Sequence, residues 1–333
     1  MHVKRKQLIY SIVLVGFGIS FGLMLYYGVK TFQVDEVSTA GQASYDVHIA
    51  LIMEEEGNEY WHFIEQGAKQ QARHYSLYLD DIGPKKSDPE EKLLMIDRMI
   101  RANVDGIITQ GIQGSRFKEL VSKAVENGVP IVTIDTDVPS SERASYVGTD
   151  NYQAGVLAGE TLIADTTGKK FVGAVIGKFD ALNQQERLQG FKDAIAEVER
   201  IELVEVVESN ITEIGATQAT YTLLKRNPKV NVLIGTSALD GIGIVQGIEE
   251  MNLRMGHYIL AFDTLPRTLE LIEQEKIDAT IVQHPFEMGK LAVQQMMKLQ
   301  NGEQVKTKEF TDTGVIRKQD VHQGQMTSTG DLP

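Results

Sequence analysis

The sequence has 333 residues, 42% of them hydrophobic and 24% charged, so it is long enough for two ordinary globular domains. Its formal net charge of −13 argues against a nucleic-acid partner, because phosphate backbones are bound by clustered positive surfaces. It contains no cysteine, which excludes disulfides, thiolate metal sites and cysteine nucleophiles.

The N-terminal segment predicts a membrane anchor. Leu8 to Val29 is a run of 22 residues without a charge, which is long enough to cross a bilayer as a helix. Basic residues lie before this run, so we expect residues 1–7 in the cytoplasm, 8–29 in the membrane and 30–45 as a tether to an exported domain on the cell surface or in the periplasm.

A cleaved signal peptide is the alternative interpretation of this segment. Signal peptides usually have a shorter apolar core of about 7–15 residues, followed closely by a small-x-small cleavage site. The nearest such site, Gly41-Gln42-Ala43, lies well downstream of the apolar run. The spacing therefore favours the uncleaved anchor.

From Asp46 onward, short apolar runs rich in Val and Ile alternate with stretches of helical periodicity, such as residues 60–74 and 89–102. Such runs are typical of buried parallel strands joined by crossover helices. The predicted strands cover residues 47–53, 75–81, 105–110, 130–135, 172–177, 204–208, 230–236, 258–263 and 278–283. So many units predict an α/β fold of two doubly wound parallel-sheet lobes rather than one sheet.

Polar side chains follow several of these strands, at the sheet edge where ligands of open α/β folds bind. Carboxylates and amides accept and donate hydrogen bonds to hydroxyl groups, and aromatic faces pack against the ring hydrogens of a sugar. This combination predicts a pocket for a neutral sugar or polyol. The candidates are Glu54, Asn58, Tyr60, Trp61, Asp135, Thr136, Ser237, Asp263 and Gln283.

Several of these residues also have a structural interpretation. An aspartate after a strand is more often a helix N-cap than a ligand-binding residue. Tyr60 and Trp61 are equally consistent with a helix–sheet core, and the acidic run of residues 54–56 with a solvated turn, which is favoured for Glu55 and Glu56. Recurrence at one sheet edge favours the pocket.

Residues 46 to about 320 resemble the type I periplasmic sugar-binding proteins, which share their core with the ligand domains of lac-repressor-like regulators. The motifs that carry the resemblance are IALIM followed by NEYWHFIEQGAKQQA, VDGIITQ, NGVPIVTIDTD, YVGTDNYQAG, ERLQGFKDAI, SALDGIGIVQGI, ILAFDT and IDATIVQHPFEMG. The resemblance implies two lobes joined by a three-strand hinge. It implies lobe 1 at 46–149 and 284–312, lobe 2 at 150–283 and 313–322, and a tail at 323–333.

The resemblance also implies binding roles. Asn58, Tyr60 and Trp61 match the family's first binding loop, and Asp135 matches its strand-end aspartate. Asp263 and Gln283 match further ligand positions, and Asp150-Asn151 marks the first crossover between lobes.

Five positions depart from the sugar-binding pattern. Thr136 and Gln185 stand where family members often have arginines, which leaves Arg187 as a brace. Ser237 and Asn210 replace an asparagine and an aromatic residue, and Glu54 is an unusual acid. These departures leave the identity of the sugar open and disfavour a phosphorylated or carboxylate ligand.

The resemblance implies a receptor that closes around a sugar, for an ABC permease or for a membrane sensor kinase. It implies no cofactor, and the sequence contains no metal-binding, phosphate-loop or nucleophile-elbow motif. A lac-repressor-like regulator would need a DNA-binding domain where the apolar segment lies. A glycosidase using Asp135 and Asp263 as acid and base is a third, disfavoured interpretation.

Overall fold

A computed structural model of the chain describes residues 14–18, 20–24, 45–253 and 256–322. Within the described residues from 45 onward, twelve strands alternate with ten helices. The strands are β1 (His48–Ile52), β2 (Tyr78–Ile82), β3 (Gly106–Gln110), β4 (Ile131–Ile134), β5 (Ser145–Thr149), β6 (Lys170–Ile176), β7 (Ile201–Glu208), β8 (Val232–Gly235), β9 (Tyr258–Phe262), β10 (Ala279–Val282), β11 (Lys308–Thr311) and β12 (Gly314–Arg317). The helices are α1 (Glu59–Tyr75), α2 (Pro89–Arg101), α3 (Ser115–Glu126), α4 (Asn151–Asp165), α5 (Leu182–Ile195), α6 (Glu213–Arg226), α7 (Asp240–Glu250), α8 (Pro266–Glu273), α9 (Pro285–Gln300) and α10 (Lys318–His322).

The strands form two six-stranded sheets. The first has the order β11-β5-β4-β3-β1-β2 and is parallel throughout. The second has the order β12-β10-β9-β8-β6-β7 and is parallel except for β12, which pairs antiparallel with β10. The prediction of a two-lobed α/β fold with parallel sheets is therefore confirmed.

The chain passes between the two sheets three times. It leaves the first sheet after β5, returns after β10 through α9, and leaves again between β11 and β12. Close helix packing fixes the ends of these connections. A Cβ atom on Gly155 of α4 would lie 2.1 Å from the carbonyl oxygen of Arg187 on α5, so only glycine allows this approach. The α4–α5 contact therefore positions Arg187.

The nine predicted strands all exist, but their bounds differ. Residues 75–77 are not in a strand, because α1 continues to Tyr75 and ends at Ser76 in the left-handed conformation. The strand predicted at 204–208 begins earlier, at Ile201. β5, β11 and β12 were not predicted. β11 and β12 have only four residues each and lie at sheet edges, where no buried apolar run marks them.

The predicted N-terminal segments fall mostly outside the described residues. Residues 14–18 and 20–24 of the predicted anchor are helical and exposed. The other residues of the anchor, residues 1–7, the tether up to residue 44 and the tail at 323–333 lie outside the described part of the chain. Across the residues that are described, no helix is both long enough and apolar enough to span a bilayer.

Candidate functional site

Two aspartates directly follow a central strand, one in each sheet, at the carboxyl edge of that sheet. Asp135 follows β4 and Asp263 follows β9, with φ angles of 63° and 72°. Aspartate tolerates this left-handed region better than most residues. Their backbone N–H groups donate to Val147 O (3.0 Å) and Ile281 O (2.8 Å), on the adjacent strands. Both side chains are buried in a cleft instead of capping a helix.

Four side chains donate hydrogen bonds to the carboxylate of Asp135. The Tyr60 hydroxyl donates to Oδ1 at 2.9 Å. Gln110 Nε2 donates to Oδ2 at 2.8 Å, and the Thr136 hydroxyl donates to the same oxygen at 3.0 Å. The fourth donor, Asn183 Nδ2 at 3.3 Å, comes from α5 of the second sheet's lobe. A carboxylate has about four acceptor positions, so the protein itself nearly satisfies Asp135.

Asp263 has a sparser environment. Gln283 Nε2 donates to Oδ1 at 2.7 Å, and the side chain is 3% exposed. Burial raises the pKa of Asp263 from 3.8 to about 6, with Arg187 and Gln283 opposing the rise and Asp135 and Asp240 adding to it. An under-satisfied buried carboxylate can accept hydrogen bonds from a ligand in the cleft.

Arg187 lies on α5 of the second lobe and forms hydrogen bonds to residues near the places where the chain passes between the lobes. Its guanidinium donates to Asn151 Oδ1 (2.9 Å), Thr236 O (2.8 Å) and Gln283 Oε1 (2.5 Å). It also lies 4.8 Å above the ring centroid of Phe262, within the range of a cation–π contact. Because Gln283 Oε1 accepts from Arg187, its amide must turn Nε2 toward Asp263. Arg187 thus fixes the orientation of Gln283.

The first helix brings three predicted residues to the cleft. Asn58 caps α1, and its Oδ1 accepts a hydrogen bond from Trp61 N at 3.2 Å. Tyr60 and Trp61 are buried, and they line the cleft while packing in the hydrophobic core below it. Both the core and the pocket interpretations of these aromatic residues therefore describe their position.

Glu54 is a buried partner in an ion pair, whereas Glu55 is half-buried and Glu56 is exposed. Glu54 contacts Lys92 Nζ and accepts a hydrogen bond from the Ser87 hydroxyl. Burial and the nearby charge of Lys178 lower the pKa of Lys92 to about 7. The contact with the Glu54 carboxylate favours the charged form of the lysine.

Two predicted residues of the second lobe also reach the cleft. Ser237 follows β8, and its Oγ is buried without a hydrogen-bond partner within the described residues. Its backbone N–H donates to the buried Asp240 at 2.8 Å. Asn210 is exposed at the cleft edge, with a φ of 57°.

Gln185 is the predicted residue that the structure places outside the cleft. It is exposed, and its amide donates to the carbonyl of Phe179 at 2.6 Å. Asn183 and Gln184 are the buried residues of this turn, because they lie four and three positions before the buried Arg187 on the same face of α5. The structure therefore places Asn183 and Gln184 at the cleft and Gln185 outside it.

The cleft has a volume of about 1060 Å³ and is lined by residues of both sheets. Ten of the eleven predicted ligand-binding residues line it: Glu54, Asn58, Tyr60, Trp61, Asp135, Thr136, Asn210, Ser237, Asp263 and Gln283. The sequence missed Lys92, Gln110, Lys178, Asn183 and Gln184, which also line it. Within the described ranges, no group of three or more His, Cys, Asp or Glu residues is arranged to hold a metal ion.

Two parallel-sheet lobes with a polar cleft between them define the class of two-lobed binding folds. A family model described as a periplasmic binding protein domain matches residues 49–304. The chain belongs to this periplasmic binding protein family.

Individual relatives support the same assignment. The chain is similar to GanP, a glucose-galactose binding protein from Geobacillus stearothermophilus, with 43% identity, a TM-score of 0.80 and coverage of 82% of this chain and 98% of GanP. It is similar to the solved XylFII–LytSN complex, with 35% identity, a TM-score of 0.77 and coverage of 82% and 98%. The D-ribose/D-allose-binding protein of Pseudomonas aeruginosa is 23% identical over 80% of this chain and 86% of its own length.

Proposed function

We propose that the chain is an extracytoplasmic receptor that closes around a neutral sugar. The observation that carries the proposal is the pair of buried aspartates, Asp135 and Asp263, which face one cleft from two different lobes. A sugar hydroxyl donates to a carboxylate more strongly than to a neutral acceptor. A ligand that contacts both lobes favours closure by its higher affinity for the closed state.

An aldohexose such as glucose or galactose is the ligand we favour. The support is the 43% identity with GanP, described as a glucose-galactose binding protein, which exceeds the 23% identity with the ribose/allose-binding relative. Thr136 and the exposed Gln185 add no cation to the cleft where ribose-type relatives often have arginines. The cations that do line the cleft, Lys92, Lys178 and Arg187, already contact Glu54, Ser87 and Gln283, so a phosphorylated sugar fits the cleft poorly.

The partner we favour is a membrane sensor protein, for which the ligand-bound surface is the signal. The support is the similarity to XylFII, which is found in a complex with LytSN. Sugar import through an ABC permease is the second candidate, because a Bacillus subtilis relative with 23% identity is described as a ribose import binding protein. We also propose that residues 8–29 anchor the chain, on the strength of their uncharged run of 22 residues.

A deletion strain distinguishes the two partners. Loss of sugar-induced transcription with normal uptake of radiolabelled sugar supports the sensor, and loss of uptake supports the permease. The anchor is tested on the same strain complemented with the full chain. Membrane-bound protein that starts at the native N-terminus supports it, and a mature chain that begins after residue 29 contradicts it.

The sugar itself is identified by titrating the purified full-length chain with glucose, galactose, ribose, allose and arabinose in a calorimeter. We expect saturable binding of at least one aldohexose. Absence of heat with every sugar, together with binding of an amino acid or another small molecule, would contradict the proposal.

A further inference from the structure

The charged pair of Glu54 and Lys92 stands at the side of the cleft with no established purpose. Their side chains are 9% and 3% exposed. A buried ion pair contributes little to stability, because the loss of hydration offsets much of the attraction between the charges. The role of this ion pair is therefore to be found in the neighbouring side chains that Glu54 and Lys92 contact.

Lys92 holds Gln110. Its ammonium group donates to Gln110 Oε1 at 3.1 Å. An ammonium group only donates, so Gln110 turns its Nε2 to the other side, where it donates to Asp135 Oδ2 at 2.8 Å and to the Thr136 hydroxyl at 3.2 Å. Contacts therefore run without a break from Glu54 through Lys92 and Gln110 to the carboxylate of Asp135 in the cleft.

A residue of the opposite lobe completes this chain of contacts. Lys178 follows β6 of the second sheet, whereas Glu54 and Ser87 follow β1 and β2 of the first. Lys178 Nζ donates to the Ser87 hydroxyl at 2.9 Å and lies 3.6 Å from Glu54 Oε1. This contact exists only while the two lobes are close together.

On the basis of the proposed sugar receptor, we propose that Glu54 and Lys92 are positioning residues that orient Gln110 toward Asp135, and that Lys178 binds them across the cleft as a closure contact. When the lobes separate, Lys178 leaves, while Glu54, Lys92 and Gln110 remain together in the first lobe. The carboxylate of Glu54 therefore takes part both in orienting Gln110 at the ligand site and in stabilising the closed state.

The test compares three variants of the full-length chain with wild type. Lys92→Met leaves the buried Glu54 with only the Ser87 hydroxyl and the more distant Lys178, so it should lower the melting temperature and weaken sugar binding. The double variant Glu54→Gln/Lys92→Met removes both charges and should restore most of the melting temperature. Its affinity for glucose or galactose should remain about tenfold weaker, as expected when an oriented hydrogen bond to a carboxylate is lost.

Lys178→Met should leave the melting temperature unchanged and increase the dissociation rate of the sugar about fivefold, because it removes one partly exposed contact. Lys306→Met is its matched control, since Lys306 forms an exposed ion pair with Glu309 outside the cleft. The control should behave as wild type in melting temperature, affinity and dissociation rate.

Two ligand-free measurements make the result independent of the choice of sugar. The chain lacks cysteine, so spin labels at Glu126→Cys and Lys225→Cys report the distance between the lobes. Lys178→Met should shift this distance distribution to longer values. In the NMR spectrum, the Gln110 side-chain amide, assigned with Gln110→Leu, should exchange with solvent faster in the double variant than in wild type.

Wild-type affinity in the double variant, with an unchanged Gln110 exchange rate, would overturn the positioning role. An unchanged lobe distance in Lys178→Met would overturn the closure contact. If no sugar binds to wild type while both ligand-free shifts occur, the sugar-receptor proposal fails and the closure and positioning roles stand for another ligand.

Discussion

Asp135 and Asp263 occupy equivalent places in the two lobes and differ in what surrounds them. Each follows a central parallel strand in the left-handed conformation and is buried in the same cleft. Asp135 receives four side-chain hydrogen bonds, whereas the described residues provide Asp263 with the single donor Gln283. The two carboxylates therefore have different tasks: Asp135 is an organised part of the protein, and Asp263 has acceptor capacity left for a ligand.

The difference is also energetic. Burial raises the pKa of Asp263 to about 6, so its ionised form is disfavoured in the ligand-free protein. Hydroxyl groups of a ligand would relieve this cost, since they replace the water that the carboxylate lost. A site that is unfavourable when empty and favourable when filled is expected of a receptor.

The largest effect is expected from Asp263→Asn. It replaces the acceptor with the most remaining capacity, so we expect sugar affinity to fall by roughly 100-fold or more, in line with the loss of charge-assisted hydrogen bonds. Calorimetric titration measures the affinity. Asp46→Asn is the matched control, because Asp46 is exposed before β1. Affinity within error of wild type in Asp263→Asn would remove Asp263 from the site.

Compared with Asp263→Asn, the substitution Asp135→Asn should reduce the sugar affinity less and the free energy of unfolding more. Its new amide would face the donors Gln110, Thr136 and Asn183, so we expect a loss of about 2–4 kcal/mol in the free energy of unfolding. Urea denaturation of the ligand-free chain measures this loss. A stability equal to that of wild type would show that the four hydrogen bonds of Asp135 are not formed in solution.

The pH dependence of stability separates the two aspartates further. A carboxyl whose pKa is raised from 3.8 to about 6 on folding contributes stability that is complete below about pH 4 and is lost as the pH rises through 6. Such a shift corresponds to roughly 3 kcal/mol at most. Asp263→Asn should therefore melt at a higher temperature than wild type at about pH 8 and lose this advantage near pH 4.

Sugar affinity should show the opposite trend with pH. The ligand binds the ionised form of Asp263, so wild-type affinity should fall as the pH decreases through about 6. Titrations between about pH 5 and pH 8 measure this slope. An affinity that is flat across this range would show that Asp263 is ionised before the ligand arrives.

The smallest effect is expected from Ser237→Ala. Ser237 Oγ is buried near the Asp240 carboxylate without a well-aligned hydrogen bond in the described structure, so its removal should change the ligand-free melting temperature little. Affinity for a sugar that contacts this hydroxyl should fall by about tenfold or less. Ser209→Ala is an informative comparison, because the Ser209 hydroxyl donates to Asp240 at 2.6 Å and its loss should destabilise the chain.

The sequence predicted the fold well where burial dominates. Short runs rich in Val and Ile identified nine strands, most of them central strands that are buried on both faces and so have few polar residues. β11 and β12 escaped prediction because they are edge strands with few buried apolar residues, which depend on pairing with β5 and β10 and not on their own composition.

The sequence pointed to residues that line the cleft after strands and at the start of α1, but it missed Lys92 of α2 and Gln110 at the end of β3. Asp135 and Asp263 follow recognisable strands, so their location is visible in the sequence. Lys92 and Gln110 interact across more than one element, and only tertiary structure brings Lys92 to Glu54. Helical spacing from the buried Arg187 points to positions 183 and 184 as the residues of α5 that face the cleft, and not to Gln185.

The central claim is that the cleft binds a neutral sugar through Asp263. The most direct measurement is a calorimetric titration of glucose and galactose into full-length wild type and into Asp263→Asn, in the same buffer at about pH 7.5, where Asp263 is ionised. We expect saturable binding to wild type and binding weaker by roughly 100-fold or more to the variant, while the ligand-free variant melts at a higher temperature. Equal binding to both proteins, or binding to neither, would contradict the claim.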